Sequence, residues 1–148
     1  MTKKKVLFVI TEDWALISHR LHLVEAAIDA GYEVALATRI NKHRKTIEDR
    51  GIKIFEWRLN RGSLNPISEM MAIFSLIKIM LVFKPNIIHA VAQKPLIYAG
   101  LAKKIYYNSS LVGTLGGVGF VFTSKNWKAK LLKPLLRFLL KLALNGEK

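Results

Sequence analysis

Short apolar runs alternate with longer amphipathic segments along the chain. The first run, Val6 to Ile10, is continuous and rich in β-branched residues, which is typical of a strand buried on both faces. A loop over residues 11–14 follows it. Ser18 then caps a predicted helix from about His19 to Ala30, which stops at Gly31. The chain is therefore predicted to open with a buried strand, a loop and a helix.

The same alternation continues to the end of the chain. Four more strands are predicted at residues 32–38, 52–57, 86–91 and 110–114. The predicted helices are a short one ending at Gly51, one opened by Asn65-Pro66 and stopped by Lys84-Pro85, one from Pro95 to about Tyr106, and a last one capped by Ser124 and kinked or split near Pro134. Because parallel strands need crossover connections, this order predicts an α/β fold with a Rossmann-like, doubly wound parallel sheet.

The segment from Ile67 to Phe83 is apolar enough to require comparison with a membrane span. Ser68, Glu69 and Lys78 interrupt it, and it is shorter than the roughly 20 apolar residues that a spanning helix needs. We therefore expect a buried crossover helix, with shallow insertion into a lipid interface as the alternative.

The composition of the chain limits the kinds of site and partner that it can have. The chain has 148 residues, of which 51% are hydrophobic, so one domain with a real core is expected. It contains no cysteine, which excludes disulfides, thiolate nucleophiles and cysteine-bound metals. The first apolar run is too short for a signal peptide, which favours a cytoplasmic protein. A net charge of +14 indicates an anionic partner: nucleic acid, a membrane surface or a phosphorylated ligand.

Polar and glycine residues follow the strands whose carboxyl ends should meet. In a doubly wound sheet the first and fourth strands are neighbours, and ligands bind in the crevice at their carboxyl ends. The residues after the first strand are Thr11, Glu12, Asp13, Trp14, Ser18, His19 and Arg20; those at or after the fourth are His89, Gln93 and Lys94; those after the fifth are Gly116, Gly117 and Gly119. Such a set suits recognition of phosphate and sugar.

Each of these residues has a chemical interpretation and a structural one. His19 and Arg20 begin a predicted helix, where free backbone N–H groups favour anions, and Lys94 adds a point charge. The glycines permit close approach of backbone N–H donors, or they form only a tight turn. Asp13 and His19 are the candidate catalytic groups, Asp13 as a general base. Trp14 either stacks on a sugar or covers the sheet edge.

The last predicted helix is both basic and apolar. Lys133, Arg137 and Lys141 repeat every four residues and share a face, and Lys130 adds to their charge. Leucines fill much of the remaining surface. Such a helix suits an anionic bilayer surface, and the alternative is a core helix with a solvated basic edge.

Several segments together resemble the N-terminal domain of family-four glycosyltransferases of the GT-B fold. The matching pieces are Val6-Leu7-Phe8-Val9-Ile10, Ile17-Ser18-His19-Arg20-Leu21, Ala30-Gly31-Tyr32-Glu33-Val34, Asn60-Arg61-Gly62-Ser63-Leu64-Asn65-Pro66 and Lys84-Pro85-Asn86-Ile87-Ile88-His89. The most specific pair joins Gln93-Lys94-Pro95 to Gly113-Thr114-Leu115-Gly116-Gly117-Val118-Gly119-Phe120. The resemblance covers Lys5 to about Phe122.

The resemblance implies an acceptor-side domain. Such enzymes have two Rossmann-like domains, of which the N-terminal one binds the acceptor and the C-terminal one binds the nucleotide-sugar. Similar members build surface glycans on polyprenyl-diphosphate-linked acceptors at the cytoplasmic membrane face, usually with retention of configuration and without a metal or other cofactor. Residues 1–148 would then be a truncated acceptor domain without a donor domain, inactive in transfer alone. Many members carry a histidine in the loop after the fifth strand, whereas Thr114-Leu115-Gly116-Gly117 has none.

Two other functions compete with this interpretation. A basic nucleic-acid-binding module would use the net charge with the aromatic residues Trp57, Tyr106, Tyr107 and Trp127, but no nucleic-acid-binding motif supports it. A non-catalytic partner subunit would keep the fold without the chemistry and would pair with a separately encoded donor domain.

Overall fold

The chain folds into a central parallel β-sheet with helices on both faces. The computed structural model describes residues 3–60, 62–63, 65–106, 108–116, 125 and 127–145. The strands within this part are β1 (Lys5–Glu12), β2 (Glu33–Arg39), β3 (Lys53–Glu56), β4 (Ile87–Val91) and β5 (Ser110–Thr114). The helices there are α1 (Asp13–His19), α2 (Leu21–Asp29), α3 (Arg44–Glu48), α4 (Pro66–Phe83), α5 (Gln93–Lys103) and α6 (Trp127–Leu144).

The strands follow the order β3-β2-β1-β4-β5, and every neighbouring pair is parallel. Val6 of β1 is in register with Val34 of β2 on one side and with Ile87 of β4 on the other. The chain therefore winds outward from β1 in one direction and then returns to wind outward in the other. The doubly wound sheet and the pairing of the first and fourth strands are confirmed.

Alternate residues of the central strands supply two separate cores. Leu7 and Val9 face α4 and α5, whereas Val6, Phe8 and Ile10 face α1, α2 and α3. This explains the unbroken apolar run in β1, because a strand covered on both faces has no polar face. Gly31, at a φ of 86°, allows the chain to leave α2 and enter β2, as predicted.

Helix α4 is the crossover helix expected from its sequence. The Asn65 side-chain oxygen accepts a hydrogen bond of 3.0 Å from Ile67 N, and Lys84, at a φ of 57°, ends the helix. Leu76 and Met80 are fully buried against the sheet. By length and composition alone α4 is able to cross a membrane, although 33% of its residues are buried inside the protein.

Helix α6 packs on α5. A Cβ atom placed on Gly100 would lie 2.6 Å from Ala143, so the two backbones approach closely at this point. The helix continues through Pro134 as one element and is not divided there. Ser124, its predicted cap, lies outside the described residues.

The structure corrects the start of two helices. Helix α1 begins at Asp13, so the predicted loop at residues 11–14 is absent and Ser18 lies inside a helix instead of capping one. Helix α5 begins at Gln93 and not at Pro95. The first difference has a tertiary cause: the Asp13 side chain is buried against the loop that follows β2, a contact distant in sequence that no local pattern reveals.

Candidate functional site

A crevice opens where β1 and β4 end, at the point where the winding direction reverses. Its volume is about 530 Å³. The residues lining it are Ile10, Thr11, Glu12, Trp14, Ala15, His19, Arg20, Val91, Ala92 and Gly116. The structure therefore brings together four of the predicted acceptor-binding residues, Trp14, His19, Arg20 and Gly116, at the edge of the sheet where parallel α/β domains bind ligands.

Helix α1 carries an aromatic pair along one side of the crevice. The Trp14 and His19 rings are 6.2 Å apart between centroids and nearly perpendicular, at 73°. Trp14 remains 44% exposed although it is a large aromatic residue. An exposed indole at the side of a cleft offers an apolar surface with a hydrogen-bond donor, a combination that suits a sugar ring.

Arg20 brings a positive charge into the crevice from the short connection between α1 and α2. Its Nε atom is buried and makes no hydrogen bond to any described residue. A buried guanidinium donor without a partner costs free energy, which a bound anion or hydroxyl acceptor would recover. This arginine is therefore the strongest candidate for a ligand contact in the crevice.

His89 is partly buried in β4, which is an inner strand of the sheet. Its Nε2 atom lies 2.7 Å from Thr114 Oγ1, and its ring packs against Phe8 at 5.1 Å between centroids. Burial lowers the pKa of His89, and the charge of Arg20 lowers it further, so the neutral imidazole is favoured. These contacts favour the structural interpretation of His89 over a catalytic one.

Asp13 holds the loop after β2 in place. Its side chain is 0% exposed, and Oδ2 accepts hydrogen bonds from the backbone N atoms of Asn41 (2.8 Å), Lys42 (3.0 Å) and His43 (2.9 Å). Burial by itself raises the pKa of Asp13, but these backbone donors together lower it below its ordinary value. A buried carboxylate that is stabilised in its charged form is a poor acceptor for a substrate proton, so in this conformation the general-base role lacks support.

Lys94 and Gln93 lie in a different cavity from the crevice. Lys94 Nζ donates to the backbone oxygens of Asn60 (3.1 Å) and Ser63 (2.7 Å) and pairs with Glu69 at 3.1 Å. This cavity, between α4, α5 and α6, is mainly apolar and has a volume of about 530 Å³. Because α5 begins at Gln93, both side chains stand in its first turn beside α4, so Lys94 joins α4 to α5.

The remaining predicted residues give a mixed result. Ser18 is exposed in α1 and is not among the residues that line the crevice. Gly117 and Gly119 lie outside the described residues. Within the described part, His, Asp and Glu side chains form no group of three or more able to hold a metal ion.

Ala92 is a crevice residue that the sequence did not reveal. Its backbone has a φ of 80° and a ψ of 168°, a region that residues with a side chain rarely occupy. Its amide donates to Thr114 O at 2.9 Å, which ties the end of β4 to the end of β5. An alanine carries no chemical signal in a sequence, and only the backbone geometry marks the position.

The predicted membrane-facing residues of α6 lie on their own face of the helix. Lys130, Arg137 and Lys141 are exposed and Lys133 is partly exposed. At 100° per residue, they stand about a third of a turn from the leucines packed on α5 and from an exposed apolar stripe. That stripe consists of Trp127, Leu131, Leu135, Phe138 and Leu142.

Comparisons with known proteins agree with this architecture. The family model described as glycosyl transferase 4-like matches residues 5–146. An N,N'-diacetylbacillosaminyl-diphospho-undecaprenol alpha-1,3-N-acetylgalactosaminyltransferase from Campylobacter jejuni is 27% identical over 84% of this chain, which spans 33% of that protein.

Two solved structures share the fold. A glycosyltransferase from Rickettsia africae superposes with a TM-score of 0.64 at 18% identity, over 92% of this chain and 35% of its own. A UDP-N-acetylglucosamine 2-epimerase superposes with a TM-score of 0.62 at 15% identity, over 94% and 39% of the two chains. At such identities the likeness concerns the fold alone, which both chemistries share.

The nucleic-acid alternative is not favoured by these findings. Trp57, one of its aromatic residues, is fully buried and donates from Nε1 to Ala72 O at 2.9 Å. The family match covers nearly all of the chain. The chain belongs to the glycosyl transferase 4-like family.

Proposed function

We propose that this chain binds the sugar acceptor of a glycosyl transfer reaction in the crevice between β1 and β4. The observation that carries the proposal is the meeting of Trp14, His19, Arg20 and Gly116 in one cleft at the point where the sheet changes winding direction. An exposed aromatic ring, a guanidinium donor without a partner among the described residues and an open glycine backbone are the groups that a hydroxyl-rich, anionic ligand requires.

The acceptor that we propose is a sugar linked through diphosphate to a polyprenol. The support comes from the Campylobacter jejuni relative, whose name describes transfer to a diphospho-undecaprenol-linked sugar. The positive charge of this chain, +14, is of the sign that a diphosphate requires. His19 remains the candidate catalytic group, because it is exposed and lines the crevice.

We also propose that transfer requires a second, nucleotide-sugar-binding domain. The chain spans about a third of the length of the relatives that it matches, 33% of the transferase from Campylobacter jejuni. By itself the chain would bind acceptor but transfer no sugar, because the second domain would bind the donor. Incubating it with nucleotide-sugar and acceptor, alone and with a donor domain added, tests this, because turnover by the chain alone would contradict it.

The proposed location is the inner face of the cell membrane, with the protein peripherally bound. The support is the exposed apolar stripe of α6 beside Lys130, Lys133, Arg137 and Lys141, since such helices lie in anionic lipid interfaces. Exposed apolar side chains on α4, among them Met70, Met71 and Phe74, extend the apolar surface on the same side of the sheet.

Binding of a short-chain polyprenyl-diphosphate-linked N-acetylhexosamine, followed by isothermal titration, tests the acceptor proposal. We expect Arg20→Gln and Trp14→Ala each to weaken binding roughly tenfold, because each removes a crevice contact of about 1.4 kcal/mol. Arg50→Gln is the matched control, since Arg50 pairs with Glu25 away from the crevice. Equal affinity in Arg20→Gln and Arg50→Gln would contradict the proposal.

A further inference from the structure

A second cleft opens at the same edge of the sheet, beyond the ends of β2 and β3. Its volume is about 430 Å³, and its walls are mainly polar. The polar residues that line it are Arg39, Asn41, Glu56, Arg58 and Asn60. We call it the arginine cleft. None of these residues takes part in the acceptor crevice described above.

Among the described residues, no acid forms an ion pair with the two arginines of the arginine cleft. Arg39 and Arg58 are exposed, and neither side chain forms a hydrogen bond or an ion pair with another described residue. Among the described residues that line the cleft, the acid is Glu56, and it is paired with Arg44. Two like charges beside one cavity repel each other, and an anion between them would remove that cost.

Both walls of the cleft are held by hydrogen bonds before any ligand arrives. On one side the buried Asp13 carboxylate accepts from Asn41 N at 2.8 Å. On the other, Trp57 N donates to Thr38 O at 2.8 Å, and Asn60 Oδ1 accepts from Gly62 N at 3.1 Å. A ligand therefore meets backbone that is already ordered, which lowers the entropic cost of binding.

The arginine cleft and the acceptor crevice are neighbours. Asn41 lines the cleft and Glu12 lines the crevice, and Asn41 Nδ2 donates to Glu12 Oε2 at 2.6 Å. This hydrogen-bonded pair joins the linings of the two cavities, so the cavities are adjacent at the edge of the sheet.

We propose that Arg39 and Arg58 bind a phosphate-bearing group, and that this group is the diphosphate of the ligand whose sugar lies in the crevice. Guanidinium groups present paired N–H donors that match two phosphate oxygens, which a lysine does not provide. The first part stands on the cleft alone, and the second rests on the proposed acceptor function. Binding here breaks and forms no covalent bond.

Isothermal titration of the full chain with inorganic pyrophosphate at about 0.15 M salt tests the first part. We expect Arg39→Gln and Arg58→Gln each to weaken pyrophosphate binding roughly tenfold, while Arg50→Gln, with the same loss of charge, leaves it within about twofold. All three arginines are exposed, so the variants should fold, which circular dichroism checks. Equal losses in all three would overturn the cleft as a site.

The same three variants, titrated with the short-chain polyprenyl-diphosphate-linked N-acetylhexosamine, test the second part. Parallel losses in Arg39→Gln and Arg58→Gln support a shared ligand. Unchanged affinity for this ligand, with pyrophosphate binding still lost, overturns that part and assigns the cleft to a free phosphate compound. If the lipid-linked sugar does not bind the unaltered chain while pyrophosphate binding depends on both arginines, the acceptor function fails and the phosphate site stands.

Discussion

Asp13 shows how one side chain can determine the shape of a ligand-binding edge. Its carboxylate receives three backbone N–H groups from the loop after β2, and that loop forms a wall of the arginine cleft. Its lowered pKa has the same origin, because backbone donors stabilise the charged form. The residue therefore acts on ligand binding through the loop that it holds.

Replacing Asp13 by Asn should destabilise the fold by about 2 kcal/mol. A neutral amide oxygen accepts the three backbone hydrogen bonds more weakly than a carboxylate does, and the amide NH2 group would face a donor, Asn41 Nδ2. Urea unfolding at pH 7 measures this. Asp29→Asn is the control, because Asp29 is exposed on α2. Similar unfolding free energies for the two variants would mean that the Asp13 bonds contribute nothing.

His89 predicts a dependence of stability on pH. Because its pKa is lowered in the folded protein, the unfolded chain binds the proton more readily below pH 6.5. The free energy of unfolding should therefore fall as the pH drops through 6.5 and below, down to the folded pKa.

Urea unfolding across this range should show a shallower decline in His89→Gln than in the unaltered chain. The side chain of glutamine retains a hydrogen-bonding group that can reach Thr114 but does not titrate. An identical pH profile in the two proteins would show that His89 is not the group responsible.

At the scale of elements, the contact between α5 and α6 depends on Gly100. A Cβ there would lie 2.6 Å from the Ala143 backbone oxygen, which cannot move without shifting the helix. A Cβ on Gly113 would lie 2.7 Å from Leu96 Cδ1, the end of a flexible side chain. A Cβ atom on either glycine would therefore clash with a neighbour, but the neighbour is a backbone atom at Gly100 and the end of a flexible side chain at Gly113.

Gly100→Ala should lower the free energy of unfolding by about 1–2 kcal/mol, because overpacking outweighs the gain in helix propensity. Gly113→Ala should cost less than about 1 kcal/mol. Thermal unfolding compares them, and limited proteolysis reports whether α6 is released. If Gly113→Ala were the more damaging of the two, the close packing of α6 on α5 would be refuted.

At the scale of the whole molecule, the two clefts and the exposed apolar side chains of α4 and α6 lie on different parts of the described structure. Both clefts open at the carboxyl edge of the sheet, whereas α4 and α6 present apolar side chains such as Phe74 and Phe138 on one face. A surface of this kind beside basic residues is suited to hold the sheet edge near an anionic membrane.

Binding to anionic vesicles should therefore depend on the four basic residues of α6. Changing all four to Gln is expected to weaken binding at least roughly tenfold, since each contributes about 1 kcal/mol near the surface. The residues to change are Lys130, Lys133, Arg137 and Lys141. Vesicle sedimentation measures the effect, which should shrink as salt rises.

A control variant with the same change in net charge distinguishes attraction of the membrane to α6 from attraction to the overall charge of the protein. Its four substitutions to Gln lie around α3 and β3, at the other end of the sheet. They are Lys42, Lys45, Arg50 and Lys53. Equal loss of vesicle binding in the two fourfold variants would mean that only net charge matters, and α6 would have no special role.

The pattern of apolar and polar residues was enough to predict the sheet and its winding. Alternating apolar runs and amphipathic segments predicted five parallel strands, and β5 at Ser110–Thr114 matches its prediction residue for residue. Such patterns are reliable because the burial of one or two faces of a strand or helix determines which nearby positions in the sequence are apolar. The crevice between the first and fourth strands followed from this topology, together with Trp14, His19, Arg20 and Gly116 on its lining.

The roles of individual side chains, in contrast, depend on contacts that form only in the folded protein. Asp13 and Lys94 bear charges that suited an acceptor site, yet Asp13 holds the loop after β2 and Lys94 joins α5 to α4. Arg39 and Arg58, 19 residues apart along the chain, share a cleft because parallel pairing places the ends of β2 and β3 side by side. The sequence does not show which group a charged side chain will pair with, because that pairing depends on contacts between residues distant along the chain.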